Sequence, residues 1–339
     1  MSGRLVEVDA LRGIAAMAVV LFHLSTRFEQ VFPQMAKPAV SLPDGHLGVN
    51  LFFIVSGFVI FMTLEKTRRP MDFVVSRFSR LYPVYWASVL LTFAVTHWLG
   101  LPGFLVGAAT ASANLLMFHG LFRIPHVDGV YWTLEVELLF YCGMLALFWA
   151  GQLSRIHQAL AGLLLLRLTY FAFERFLGID LPWTVFRLLI LKYIAWFTLG
   201  ICVYLWTNYP GTSERRKVVF TISLAIITLA IVDSPEIALL GLALASVVWL
   251  AASGRLSLLR HPVLVWLGAI SYPLYLVHEN MGWALQLRLL AWGMEPNLVL
   301  AIGVAAACAV ATLLNRCIEQ PAMRWIRKRY RMRQAAAPA

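Results

Sequence analysis

Arg12 and His23 lie on one apolar stretch, DALRGIAAMAVVLFHL, with ten residues between them. On an α-helix a step of eleven turns the second residue about 20° from the first and carries it about 16 Å along the axis. One helix face therefore presents a guanidinium near its start and an imidazole near its end. The first suits an anion and the second a proton transfer near neutral pH. More polar residues stand in apolar surroundings: Ser56 in GVNLFFIVSGFVI, Glu135 and Glu137 in YWTLEVELLFY, and His278 and Glu279 closing ISYPLYLVHE. Arg77 and Arg80, in SRFSRLYP, share a helix face at i, i+3 spacing. Polar and ionisable groups within a bilayer are costly and mark sites that face protein or water.

The elements that must hold these residues are membrane spans. Hydrophobic residues make up 60% of the chain and charged residues 13%, and the mean hydropathy is +0.76. A water-soluble protein could not hide that much apolar surface. The apolar runs predict an all-α, polytopic protein with about ten transmembrane helices, near residues 8–26, 47–64, 82–98, 130–150, 157–173, 187–206, 217–232, 237–253, 263–281 and 297–317. Segment 103–118 is short and rich in small residues, and reads as interfacial or re-entrant. Ala16-Met17-Ala18 fits a cleavage pattern, but the apolar run continues to Leu24, so the first segment reads as a retained span. The closing QAAAPA is expected to be disordered.

Charge placement gives the orientation. With the N-terminus in the cytoplasm, 18 of the 28 Lys and Arg residues fall on the cytoplasmic side, 5 outside and 5 in or at spans. That asymmetry puts both termini inside. It also accounts for the net charge of +11 through loops beside anionic lipid, with no nucleic-acid partner. The four cysteines lie in or at apolar spans without a CxxC pair, so neither a disulfide frame nor a metal site is indicated. On this topology His23, Ser56, Glu135, Glu137, His278 and Glu279 all fall in the outer half of the bilayer. Arg77 and Arg80 lie at its inner edge, and Arg12 lies between.

Each residue alone has a plainer reading. His23 and His278 fit interfacial histidines. Arg12 could pair with Asp9. Arg77 and Arg80 could be topology anchors. Glu137, flanked by Val136 and Leu138, needs a partner or a proton. Glu135 and Glu137 point to nearly opposite sides of a helix. The case for function is their shared depth.

In order, DALRG with Arg12 and His23, GVNLFFIVSGF, Arg77-x-x-Arg80-Leu-Tyr-Pro, WTLEVELLFY from Trp132, ISYPLYLVH and Glu319-Gln320-Pro321 resemble the acyltransferase-3 family of integral membrane O-acyltransferases. The resemblance covers about residues 5–325 and implies a single transmembrane domain over 1–325, followed by a basic cytoplasmic tail at 326–339. It implies a bacterial inner-membrane enzyme moving an acyl group, acetyl above all, from cytoplasmic acyl-CoA to a glycan or glycolipid hydroxyl outside, with no bound cofactor or metal. His23 would handle the proton or the acyl group, with Arg12 its companion and Glu137 orienting the imidazole. Arg77 and Arg80 would face acyl-CoA, and His278, Glu135, Ser56 and Trp132 would line the substrate site. Asn50 stands where the family often has Asp, and no periplasmic hydrolase-like domain follows span ten. His23 could instead carry the acyl group itself, as an acyl-histidine. Two other classes, a secondary transporter and a non-catalytic partner in envelope glycan assembly, would not consume acyl-CoA. Against the transporter, the sequence shows no internal repeat.

Overall fold

A computed structural model describes residues 5–336. They form the helices α1 (Val6–Phe22), α2 (Phe28–Val31), α3 (Gly48–Glu65), α4 (Pro70–Leu99), α5 (Ala108–Asn114), α6 (Trp132–Trp149), α7 (Ile156–Ala172), α8 (Trp183–Leu188), α9 (Ile194–Asn208), α10 (Thr212–Val232), α11 (Pro235–Ala252), α12 (Pro262–Val277), α13 (Asn280–Ala291), α14 (Pro296–Leu314) and α15 (Gln320–Ala336). No strand occurs among the described residues. Single wide π turns at His23–Arg27 and Asn315–Glu319 join α1 to α2 and α14 to α15.

Six stretches among the described residues are long and apolar enough to cross a bilayer: Val6–Val31, Pro43–Glu65, Gly129–Trp149, Leu153–Leu177, Pro235–Ala252 and Pro296–Gln334. Helices α9 and α12 are apolar but shorter. Helices α4 and α10 are long, with polar first turns. The chain is a helical, multi-pass membrane protein. Two starts are set by local chemistry. Ser234 caps α11 by accepting from Ile237 N, with Pro235 first in the helix. Glu295 caps α14 in the same way, at 2.8 Å from Leu298 N, with Pro296 next.

The structure differs from the sequence reading in places. The expected span at 187–206 begins in the end of α8 and a turn, with Ile190 at φ 49°, before α9 starts at Ile194. An apolar run does not by itself distinguish helix from a buried turn. Span nine breaks at His278 and Glu279, between α12 and α13. Within 103–118 only α5 is regular helix. Of the QAAAPA tail, Gln334–Ala336 continue α15, and the rest lies outside the described residues.

The chain divides into two compact units. One comprises Met1–Leu11, Asn50–Pro70 and Val136–His261. In it α7, α9, α10 and α11 pack together. Helix α3 meets α9 backbone to backbone: a Cβ on Gly200 would fall 1.8 Å from the Ile54 carbonyl oxygen, and one on Gly57 2.2 Å from that of Phe197. Small residues allow such close crossings inside membranes. Phe53 and Phe140 pack their rings on Phe197 beside the crossing.

The other unit comprises Arg12–Val49, Met71–Glu135 and Pro262–Ala339. Here α12 and α13 pack on α14. Gly13 of the DALRG motif lies against Gly268, whose backbone nitrogen would be 2.4 Å from an added Cβ. The first turns of α4 pair with α15 in antiparallel register. Arg327 donates to Ser79 Oγ and the Ser76 carbonyl, and Tyr330 and Gln334 both donate to Asp72.

Candidate functional site

His23 stands where α1 widens into its π turn. Such turns concentrate at functional sites. The turn is fixed from α13: Trp283 Nε1 donates to the His23 carbonyl at 2.8 Å, and Gln286 Nε2 to that of Leu24 at 2.9 Å. The imidazole faces His278, the first residue of the α12–α13 break. His278 Nδ1 lies 2.9 Å from the Tyr275 carbonyl oxygen, so it carries the proton, and its Nε2 is left as an acceptor. That acceptor is 3.1 Å from His23 Nδ1, which also lies 3.0 Å from the Val19 carbonyl oxygen. His23 Nδ1 thus donates to both, and Nε2 keeps its lone pair. Nε2 points to Glu279 Oε1 at 3.6 Å, and the His23 side chain remains 14% exposed. The arrangement yields a positioned base with an accessible lone pair and a carboxyl beside it.

Glu279 is one of two carboxyls there. Asp128 is fully buried, accepts from the backbone N–H groups of Asn280 at 3.1 Å and Val130 at 3.3 Å, and couples electrostatically to Glu279. Burial pushes the Asp128 carboxyl up to about 7, against the pull of those N–H groups. Two carboxyls this close titrate as a pair. Gly129 makes room for this carboxyl: a Cβ there would lie 2.6 Å from Glu279 Oε2 and displace it. Asn114 holds the loop that presents Asp128, with its side chain bonded to Val127 N and the Pro125 carbonyl.

In the same unit, arginines gather around the Glu-Gln-Pro motif. Glu319 is buried, accepts from Asn315 Nδ2 at 2.9 Å, and interacts electrostatically with Arg80 and Arg12. Arg327 of α15 stands within electrostatic range of Arg80 and Arg331. Arg77 lies over the Phe73 ring and donates to Ser76 Oγ. Arg12 and Arg80 thus flank one carboxylate, with Arg327 within range of Arg80, an excess of positive charge suited to a phosphate-bearing ligand.

Glu137 belongs to the other unit. Ser56 Oγ and Tyr141 OH both donate to its Oε1. The structure therefore brings Ser56 to Glu137, His23 to His278, and Arg12 and Arg80 to a shared acid. Glu135 is buried, near Tyr85, and Trp132 opens α6 partly exposed. Asp128 and Arg327 were given no site role by the sequence, and Glu279 was placed at the depth of His23 without a role of its own. Glu279 adjoins His278, which was the available signal. Asp128 and Arg327 lie in a loop and a basic tail, with none. Among the described residues no group of three or more His, Cys, Asp or Glu could hold a metal ion.

A family described as "Acyltransferase domain" matches residues 5–316. Acyltransferase MdmB of Streptomyces mycarofaciens is 25% identical over 392 aligned positions, covering 99% of this chain and 96% of that protein. Protein 2 in the picA locus of Rhizobium radiobacter is 37% identical over 107 residues, 29% of this chain and 51% of its own length. The exopolysaccharide production protein ExoZ of Rhizobium meliloti is 28% identical over 104 residues, 29% of this chain and 32% of its own. The matches to these last two span about half and a third of their lengths. No solved structure matches.

Proposed function

Because the chain belongs to the acyltransferase family whose domain spans residues 5–316, we propose that it moves an acyl group, acetyl in the simplest case, from cytoplasmic acyl-CoA to a hydroxyl of an envelope or exported glycan or glycolipid outside the bacterial cytoplasmic membrane. The observation that carries this reading is the His23 imidazole, with Nδ1 anchored, Nε2 facing the Glu279 carboxyl and the side chain still partly exposed. The exopolysaccharide role in the name of one relative supports a glycan acceptor.

Nε2 of His23 takes the proton of the acceptor hydroxyl as its oxygen attacks the thioester carbonyl. The carbon–sulfur bond breaks, and the imidazolium returns the proton to the departing sulfur. Glu279, 3.6 Å from Nε2, steadies the imidazolium charge, the part that a carboxylate plays in hydrolase triads. In this reading the role first considered for Glu137 passes to Glu279. Arg77, Arg80 and Arg327 hold the phosphates of CoA, and Arg12 lies on the path between them and His23. Free-thiol release from acetyl-CoA by the purified protein tests the proposal. His23→Ala should lower it by ~10²–10⁴ with membrane insertion unchanged. A transporter or scaffold releases no thiol, and wild-type turnover in a folded His23→Ala protein would remove the catalytic assignment.

A further inference from the structure

A groove of about 250 Å³ lies on the α9–α10–α11 face of the first unit, and none of the site residues described above lines it. Trp206 and Trp249 form two of its walls, and Ser223 and Ser246 are the polar side chains in its lining. Val219 and Leu242 are 52% and 47% exposed, so the groove opens sideways from the helices. Its size is just below the roughly 300–1,000 Å³ of small-molecule sites, and its walls are apolar, which suits a single hydrocarbon chain.

The groove has a charged end. Arg215 lies over the Trp206 ring at 4.9 Å, and Arg255 over the Trp249 ring at 4.8 Å. Each guanidinium is thus held on a wall of the groove by a cation–π contact. Both arginines follow or precede helix ends, at the start of α10 and after α11. Positive-inside orientation puts them at the cytoplasmic interface, where tryptophans also concentrate. The neighbouring acid, Glu214, is engaged by His157 at 2.8 Å and Lys217 at 3.1 Å.

We propose that this groove binds an anionic phospholipid of the cytoplasmic leaflet, with one acyl chain between Trp206 and Trp249 and the phosphate between Arg215 and Arg255. Charge complementarity selects the headgroup, and the apolar walls select a lipid over a free phosphate. The site is independent of the catalytic reading and stands if that reading fails.

Native mass spectrometry of the full-length protein, released from micelles with phosphatidylglycerol or phosphatidylcholine of the same chains, tests this. The wild type should retain one phosphatidylglycerol in preference to phosphatidylcholine. Arg215→Gln with Arg255→Gln should reduce that preference by about 25-fold, about fivefold per arginine. Ser246→Phe should fill the groove and remove the retained lipid whatever its headgroup. Millimolar glycerol 3-phosphate should not compete. Unchanged preference in the double variant, lipid retention in a folded Ser246→Phe protein, or competition by glycerol 3-phosphate would each overturn the proposal. Melting temperature and elution volume identify any variant that has unfolded, and for such a pair Arg215→Lys with Arg255→Lys provides the second test. It should keep most of the preference, and losing it would overturn a charge-based site.

Discussion

Glu279 and Glu137 are carboxylates set among apolar helices, one in each unit, and the two are accommodated differently. Glu137 accepts from the hydroxyls of Ser56 and Tyr141. Glu279 has one oxygen toward His23 Nε2, and its other oxygen is buried without a hydrogen-bond partner. Beside it stands a second buried carboxyl, Asp128. A carboxylate oxygen that accepts from two hydroxyls is held in place by them. A carboxyl pair beside an imidazole lone pair is built to let a proton move. In the proposed mechanism the Glu279 group carries the chemistry and the Glu137 group holds structure.

The sharpest way to break that contrast is a pair of isosteric changes. Glu279→Gln removes the charge that faces the imidazolium and should cut turnover roughly 10- to 150-fold, the worth of a charge-assisted contact. Glu137→Gln still accepts from Ser56 and Tyr141 and should cost only a few-fold. Thiol-release rates at saturating substrate decide, and the reverse ranking would return the catalytic carboxylate to Glu137. Next in size, Arg80→Ala and Arg327→Gln should each raise KM for the acyl donor by roughly tenfold or more, with kcat near normal. A fall in kcat at unchanged KM would move these arginines out of the donor grip.

Smaller effects refine the Glu137 side. Tyr141→Phe and Ser56→Ala should each lower stability by about 0.5–1.5 kcal/mol, read as a lower melting temperature, with turnover per folded protein unchanged. Asp128 supplies the mildest test. Its carboxyl is raised from 3.8 to about 7 by burial, so the folded state favours the protonated form. That contribution to stability is complete below the unfolded value and is lost as pH rises through about 7. The melting temperature should therefore decline between about pH 4 and 7, and Asp128→Asn should flatten the decline. An identical slope in both proteins would mean that other groups carry it.

What the sequence made legible follows the range of the interactions. The helix that carries Arg12 and leads into His23 could be read because α1 is regular up to Phe22 and widens only at His23. The Arg77–Arg80 pair could be read because i, i+3 neighbours lie on one helix. The family resemblance is confirmed over nearly the whole chain. The partners were out of reach. No periodicity links His23 to Glu279, or Arg80 to Arg327, across more than two hundred residues. Nor could the start of α9 be placed, because Ile190 turns the chain inside an apolar run.

That range of interaction also has a consequence in time. His278 meets His23 across 255 positions of sequence, and Trp283 and Gln286 reach the same turn from still farther along the chain. Translation at about 5–20 residues per second puts roughly 13–50 s between the synthesis of His23 and that of the groups that complete its surroundings. During that interval the first helix carries Arg12 and His23 through insertion without their final neighbours, and the whole of Val136–His261 is made meanwhile. A chain halted before His278 would hold the base without the imidazole and carboxyl that face it, so activity should arise only on completion of nearly the full polypeptide, as a late event of biogenesis.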